Sequence, residues 1–132
     1  MSVRPHIYLL VGLGSGLGAS LRLLLSVGLY QPETLWPWAT LLATCVGSMA
    51  MGFYATMVSE QGAWQVSEAQ KQFVLAGLCG GFTTFSVFSL ECLWLQQAGY
   101  PGLAVSYGVL SLLTWMIAVF AGYTLAKRCS LV

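Results

Sequence analysis

Polar side chains recur at helical spacing within long apolar stretches of this sequence, and they are the first candidates for chemistry. Residues three or four positions apart share one face of a helix. Three stretches carry such a polar stripe: Ser15, Ala19, Arg22 and Ser26; Thr40, Thr44 and Ser48; and Tyr107, Ser111 and Thr114. The stripes offer hydroxyls and one guanidinium, with almost no carboxylate. Polarity in an apolar span usually faces a partner or a cavity, and hydrogen bonding between helices is the alternative for any single stripe.

A further apolar stretch contains the segment GLCGGFTTFSVFS at 77–89. Three glycines followed by two β-branched threonines are poor helix formers, so the sequence predicts a helix that is broken near its middle. A break leaves backbone N–H and C=O groups unpaired, and hydrocarbon tolerates these only where they are buried in protein or meet water or an ion. Carbonyl groups suit cations and N–H groups suit anions. A glycine kink that serves packing alone is the alternative.

Two aromatic and two hydroxyl side chains follow the predicted break. Phe85 and Phe88 lie three residues apart, and Ser86 and Ser89 have the same spacing on an adjacent face. The edge of a phenyl ring is positive and can stabilise an anion without binding it too tightly. A channel needs that compromise because each of its sites must be entered and left. Ordinary core packing is the alternative for the two rings.

The composition identifies the environment in which these groups must work. Of the 132 residues, 58% are apolar, 13% are aromatic and 7% are charged, whereas about 25% charged residues is usual for a soluble domain. The mean hydropathy is +0.78. These values exclude a soluble enzyme, a disordered chain and a nucleic-acid binder, and they indicate a membrane protein. No nucleophile–base arrangement supports an enzyme.

Four apolar stretches are long enough to cross a bilayer as helices. They cover about 7–29, 37–58, 73–96 and 102–126, and some 20 residues suffice for a span. The sequence therefore predicts an all-α membrane protein with one domain, 1–132, and with both termini on one side. A signal peptide is the competing interpretation of the first stretch, but the apolar run is too long for a typical signal core.

The basic residues predict an orientation. Only one basic residue, Arg22, lies nearer the side of the first and third loops. The basic residues on the side of the termini and the second loop are Arg4, Lys71, Lys127 and Arg128. Positive-inside reasoning places the termini in the cytoplasm. Four spans of this size enclose little interior for a solute path, so a dimer or larger assembly is expected.

The cysteines and the glycines of the first span do not indicate a metal or cofactor site. The cysteines lack metal-ligand spacing and are expected to be small packing residues; they are Cys45, Cys79, Cys92 and Cys129. The glycines of the first span resemble a dinucleotide fingerprint, but that motif requires a preceding strand. The same glycines form small-xxx-small pairs, Gly12/Gly16 and Gly14/Gly18, which predict close helix packing.

The segment at 77–89 resembles the signature of the Fluc (CrcB) fluoride channels, small four-span membrane proteins. Residues 14–22 are similar to that family's G-x-x-x-G-A-x-x-R segment, residues 40–52 to its T-L-x-x-N-x-x-G-S-x-x-x-G segment, and Tyr107 fits its pore tyrosine. The resemblance implies a fluoride-selective channel in the inner membrane, which passively exports F⁻ and relieves fluoride toxicity.

The resemblance further implies an antiparallel dimer with two pores and a central structural Na⁺. The sodium ligands would be the backbone carbonyls of Gly80 and Thr83 from both subunits. The fluoride pore would be lined by Phe85, Phe88, Ser86, Ser89, Tyr107 and Thr44. Arg22 would attract anions at a vestibule, with snorkelling to the interface as the alternative. Glu91 would either line a vestibule or be solvated near the end of its span.

Two departures from the family pattern leave other hypotheses open. Thr44 replaces the family's asparagine and Val87 replaces a threonine between the two pore phenylalanines. Together with the charge bias, these changes raise the hypothesis that the chain is a pore-degraded subunit of an oppositely oriented heterodimer. A homodimer is the preferred hypothesis. A small multidrug-resistance-type transporter is the runner-up class, but it depends on a carboxylate deep in span one. A non-transporting packing subunit is the third class.

Overall fold

The structure, a computed structural model, describes residues 5–130. Within this range the chain is helical and no strand occurs. The elements in order are α1 (Pro5–Gly28), α2 (Trp38–Met57), α3 (Glu68–Gln72), a π-helical segment (Phe73–Cys79), α4 (Gly80–Phe82), α5 (Phe85–Gln97) and α6 (Pro101–Ser130). The helical runs Pro5–Gly28, Trp38–Met57, Glu68–Gln97 and Pro101–Ser130 are each long and apolar enough to cross a membrane. This confirms the predicted four-span, all-α fold.

The helices extend beyond the apolar stretches at two places. The third span starts at Glu68 rather than near 73, because Ser67 and Gln70 form a reciprocal capping box at its N-terminus. The fourth continues to Ser130, past the apolar run that ends near 126. Hydropathy marks the part of a helix that suits lipid, whereas capping and backbone hydrogen bonding determine where the helix ends.

The third span is broken between Phe82 and Phe85, as the sequence predicted. Thr83 (φ −97°, ψ 76°) and Thr84 (φ −88°, ψ 113°) leave the helical conformation, and α5 starts at the next residue. Extended dihedrals suit β-branched threonine better than helical ones do. The break therefore follows from local sequence.

The two halves of the broken span pack against different neighbours. The half before the break lies against α1, and α5 lies against α6. The α2 helix packs along α6 and completes the bundle. The break thus lets one apolar segment connect two helix pairs.

Glycines allow the close contact between α1 and the third span. A Cβ atom at Gly14 would lie 2.7 Å from the Phe73 carbonyl oxygen, and one at Gly18 would lie 2.7 Å from the Phe82 nitrogen. The packing prediction is confirmed for Gly14 and Gly18. A Cβ at Gly12 or Gly16 would meet nothing within 4 Å in this chain, so that pair does not serve this contact.

Many large apolar side chains are exposed and several polar ones are buried, unlike in a typical soluble protein. Large apolar side chains on the outside include Leu9 and Met116, exposed to 71% and 72%. The buried polar side chains are Arg22, Thr40, Thr44, Ser48 and Ser111. A chain that exposes its apolar side chains and buries its polar ones is suited to lipid or to an apolar partner.

Replacing Gly18 by alanine should destabilise the fold, whereas Gly16→Ala should not. The new Cβ at Gly18 meets backbone atoms, which cannot move aside cheaply, and overpacking of this kind costs about 1–3 kcal/mol. We expect a lower apparent melting temperature for Gly18→Ala, measured by gel filtration of detergent-solubilised protein after heating. Equal melting temperatures for the two variants would contradict the close packing of α1.

Candidate functional site

Four polar side chains, one from each span, meet near the loops at 29–37 and 98–100. Glu91 on α5 accepts hydrogen bonds through one carboxylate oxygen from Thr40 Oγ1 and through the other from the Tyr107 hydroxyl, at 2.8 Å. Arg22 donates through Nη2 to Thr40 Oγ1 at 3.0 Å and through Nη1 to the Phe82 carbonyl at 3.3 Å. The cluster therefore ties all four spans together.

The Thr40 hydroxyl stands between the two opposite charges of this cluster. It accepts a hydrogen bond from Arg22 and donates one to Glu91. Arg22 is only 5% exposed and Thr40 only 2%, and an isolated buried charge is costly. The guanidinium and the carboxylate compensate each other through this hydroxyl. Arg22 lies in the interior and does not snorkel to the surface in this structure.

A cavity of about 400 Å³ adjoins the cluster. Its wall combines Thr40 and Glu91 with aromatic side chains that include Tyr30, Trp36 and Trp94. Glu91 thus lies in the wall of a vestibule-like cavity, in keeping with the first of the two interpretations given for it.

The two phenylalanines predicted for the pore occupy different environments. Phe88 is 7% exposed, whereas Phe85 is 65% exposed, and their ring centroids are 5.5 Å apart. Phe88 packs against Tyr107 at 5.3 Å and against the indole of Trp115 at 4.8 Å, edge to face. One ring therefore belongs to the core of this chain and the other lies on its surface.

The predicted serines lie on the outer surface beside Phe85. Ser86 and Ser89 are exposed, and the Ser89 hydroxyl donates to the Phe85 carbonyl at 3.0 Å. Tyr107 is fully buried. The structure therefore does not bring the two serines together with Tyr107 within one chain, because the serines are exposed whereas Tyr107 is buried. A path lined by both needs a second surface over Phe85 and Ser89.

A second cavity, of about 200 Å³, lies at the break. It is lined by Thr44, Ser48, Thr83, Thr84, Phe85 and Trp115. Thr84 is the N-cap residue of α5 and Phe85 its first residue, and no side chain caps this helix end. The first N–H groups of a helix lack intrahelical partners and carry a partial positive charge. The cavity consequently suits an anion.

The carbonyl groups at the break fall into two classes. The Gly81 carbonyl accepts from the Thr84 hydroxyl and the Phe82 carbonyl accepts from Arg22. Within residues 5–130, no hydrogen bond reaches the carbonyl oxygens of Gly80 or Thr83. Unpaired carbonyls inside a membrane protein are suitable ligands for a hard cation. Gly80 and Thr83 are the two residues predicted as sodium ligands, and that role stays a prediction.

Sequence reasoning missed two tryptophans that pack, half-buried, against the aromatic core. Trp36 packs edge to face on Tyr107 with a centroid distance of 5.6 Å, and Trp115 packs on Phe88. Both indole Nε1 atoms, together with Ser111 Oγ, are buried and lack a hydrogen-bond partner within the described range. The position of Trp115, four residues after Ser111 on the α6 stripe, is the signal that could have revealed it.

Comparison with known proteins agrees with this geometry. The profile of the family described as "CrcB-like protein, Camphor Resistance (CrcB)" matches residues 9–123. A Rhodopseudomonas palustris (strain BisB18) protein named "Fluoride-specific ion channel FluC 1" is 40% identical over 126 residues, covering 95% of this chain and 89% of that protein.

Two more relatives bear the name "Fluoride-specific ion channel FluC". The Paramagnetospirillum magneticum (strain ATCC 700264 / AMB-1) protein is 41% identical, over 90% of this chain and 94% of its own length. The Opitutus terrae (strain DSM 11246 / JCM 15787 / PB90-1) protein is 41% identical, over 91% of this chain and 92% of its own length. The chain therefore belongs to the CrcB family, as its third-span motif predicted.

Proposed function

We propose that this chain forms a fluoride-selective channel that lets F⁻ leave the cytoplasm passively. The observation that carries the proposal is the cavity at the break, where hydroxyl side chains surround the uncapped N-terminus of α5 beside Phe85. The relatives named as fluoride-specific ion channels supply the identity of the anion. Membership of the CrcB family speaks against the multidrug-transporter and enzyme alternatives.

Conduction requires that protein groups replace the water around a strongly hydrated ion. Hydroxyls, helix-terminal N–H groups and the positive edges of phenyl rings are donors of this kind. The buried Arg22 guanidinium lies behind the vestibule-like cavity, and its charge favours anion entry although Glu91 partly balances it. A narrow passage with fixed donors favours the smallest halide over chloride.

An antiparallel homodimer is the assembly that would complete such a pore. Phe85, Ser86 and Ser89 are exposed on one chain, and a second copy would cover them and supply the missing wall. The excess of basic residues on the side of the termini keeps the heterodimer with a related subunit as the alternative. If the orientation is fixed, the same excess places both termini in the cytoplasm, and the protein spans the inner membrane.

A structural Na⁺ at the centre of the dimer is part of this proposal. The carbonyl oxygens of Gly80 and Thr83 would hold it, repeated from both subunits, and their lack of hydrogen-bond donors supports the assignment. The ion would satisfy backbone groups that the break exposes. Its function would be to stabilise the assembly.

Purified protein reconstituted in liposomes should release fluoride when valinomycin and K⁺ dissipate the membrane potential, and should retain chloride. Because transport is passive, efflux should need no pH gradient. A fluoride-selective electrode measures the rate, and protein-free liposomes are the control. Efflux that requires a proton gradient would point to a coupled transporter instead, and a well-folded chain without efflux would support an obligate partner subunit.

Tyr107→Phe should slow fluoride efflux by about tenfold or more. The substitution keeps the ring that packs on Phe88 but removes the hydroxyl that donates to Glu91, and hydrogen bonds to charged groups contribute about 1.5–3 kcal/mol. Tyr123→Phe, at an exposed position of α6, is the matched control. Equal fluoride efflux rates for the two variants would show that the Glu91 cluster does not contribute to fluoride transport.

Replacing Na⁺ by N-methyl-D-glucamine at constant ionic strength should lower the melting temperature of the detergent-solubilised protein. A ligand that binds only the folded state stabilises it by about 2.7 kcal/mol at one hundred times its dissociation constant. Titration with NaCl should restore the melting temperature in a saturable manner. A melting temperature that does not depend on Na⁺ would argue against the sodium site.

A further inference from the structure

The cavity beside the Glu91 cluster brings four aromatic side chains together around one carboxylate. Its volume, about 400 Å³, lies within the range of small-molecule sites. The aromatic residues in its wall are Tyr30, Trp36, Trp38 and Trp94. The rings of Trp36 and Trp38 are neighbours, with centroids 6.0 Å apart. Tyr30, Trp38 and Trp94 are exposed, so packing within this chain does not use up their ring surfaces.

The charged group that this cavity presents is a carboxylate. Among the described residues 5–130, its wall contains Glu91 but no lysine or arginine. Both carboxylate oxygens of Glu91 accept hydrogen bonds, one from Thr40 and the other from Tyr107. Acceptance at both oxygens is typical of the ionised form. The cavity therefore has a negatively charged group in its wall.

The chain segments that form the cavity have an acidic bias. All of its lining residues fall within 26–40 and 91–98. These two segments contain Glu33 and Glu91 but neither lysine nor arginine. The buried Arg22 is joined to the Glu91 carboxylate through the Thr40 hydroxyl and does not line the cavity as described. This bias favours a cation as the occupant.

We propose that this cavity binds a small quaternary ammonium group, such as the trimethylammonium group of choline. The faces of indole and phenol rings attract such a cation, and the Glu91 carboxylate supplies the opposite charge. A hard metal ion is held by a shell of oxygen ligands, whereas aromatic faces suit a large and weakly hydrated cation. The inference goes beyond the proposed fluoride channel because it assigns a second, organic ligand of opposite charge.

Two sources could supply the same chemical group. One is a free cation such as choline, and the other is the headgroup of phosphatidylcholine. The cavity adjoins the loops at 29–37 and 98–100 and includes residues of both. Tryptophan and tyrosine near the ends of membrane spans lie at the depth of lipid headgroups. The experiment therefore has to separate a free ligand from a lipid.

The first test measures equilibrium binding of tritiated choline to the full-length protein in nanodiscs of phosphatidylethanolamine and phosphatidylglycerol. Binding should be saturable, and unlabelled tetramethylammonium should displace it. The uncharged tert-butyl analogue of choline should not displace it, because it has the same shape without the charge. If the rings serve only as interfacial anchors, no saturable binding will be seen and the proposal fails. Equal displacement by the uncharged analogue would also overturn it.

A second set of nanodiscs distinguishes the two sources. Phosphatidylcholine should weaken the apparent binding of free choline if its headgroup enters the cavity. The dissociation constant should be the same in both lipid mixtures if only the free cation binds there. Either result supports a quaternary ammonium site, provided that the first test shows saturable binding.

Variants then test whether this cavity is the site. Trp94→Leu should raise the dissociation constant of choline about fivefold, whereas Trp94→Phe, which keeps a ring face, should stay close to the wild type. Trp94 is exposed, so neither change should disturb the fold. Glu91→Gln should raise the dissociation constant about tenfold or more. Trp64→Leu, on the loop that precedes α3, is the matched control and should bind choline as the wild type does.

Gel filtration verifies that each variant is folded. Unchanged choline binding by both Trp94→Leu and Glu91→Gln would place the site elsewhere and overturn the proposal. Weaker binding by Trp94→Leu together with normal binding by Trp64→Leu supports it. None of these measurements uses fluoride transport. Failure of the cation site is therefore distinguishable from failure of the channel function.

Discussion

The need to satisfy backbone groups inside hydrocarbon governs this structure. A helix that breaks at Thr83 and Thr84 leaves N–H and C=O groups that lipid cannot hydrogen-bond. The chain itself satisfies some of these groups. Arg22 donates a hydrogen bond to the Phe82 carbonyl, and the Thr84 hydroxyl donates one to the Gly81 carbonyl. The carbonyls of Gly80 and Thr83 on one side of the break and the first N–H groups of α5 on the other keep no partner within residues 5–130.

The packing of the bundle follows from the same break. It directs the first half of the third span to α1 and the second half to α6. Glycines at the α1 contact bring backbones close enough for Arg22 to reach the Phe82 carbonyl. The Thr40 hydroxyl then joins Arg22 to Glu91. A polar network through all four spans can be stable in a membrane because each charged group has a partner and apolar side chains cover the outside.

The aromatic side chains divide between the interior and the outer surface. Four rings form a continuous row of contacts in which Phe88 and Tyr107 are buried and Trp36 and Trp115 are half-buried. Phe85 lies beyond that row with Ser86 and Ser89 on an exposed face. A single chain thus contains one wall of a path but does not enclose it. In the antiparallel dimer proposed above, a second copy of this 132-residue chain would cover the exposed face.

The sequence alone determined the number of spans, the position of the break and the polar stripes, because hydropathy, helix propensity and helical spacing are local properties. It also carried the family's motif at 77–89. Only the tertiary structure decided that Arg22 is buried and that Thr40 joins it to Glu91. It also decided which glycines meet the third span, namely Gly14 and Gly18 rather than Gly12 and Gly16. The position of Trp115 beside the break was likewise decided by the tertiary structure. The π-helical segment at Phe73–Cys79 likewise had no local signal. These features depend on which faces of separate helices meet, and no spacing along one helix specifies that.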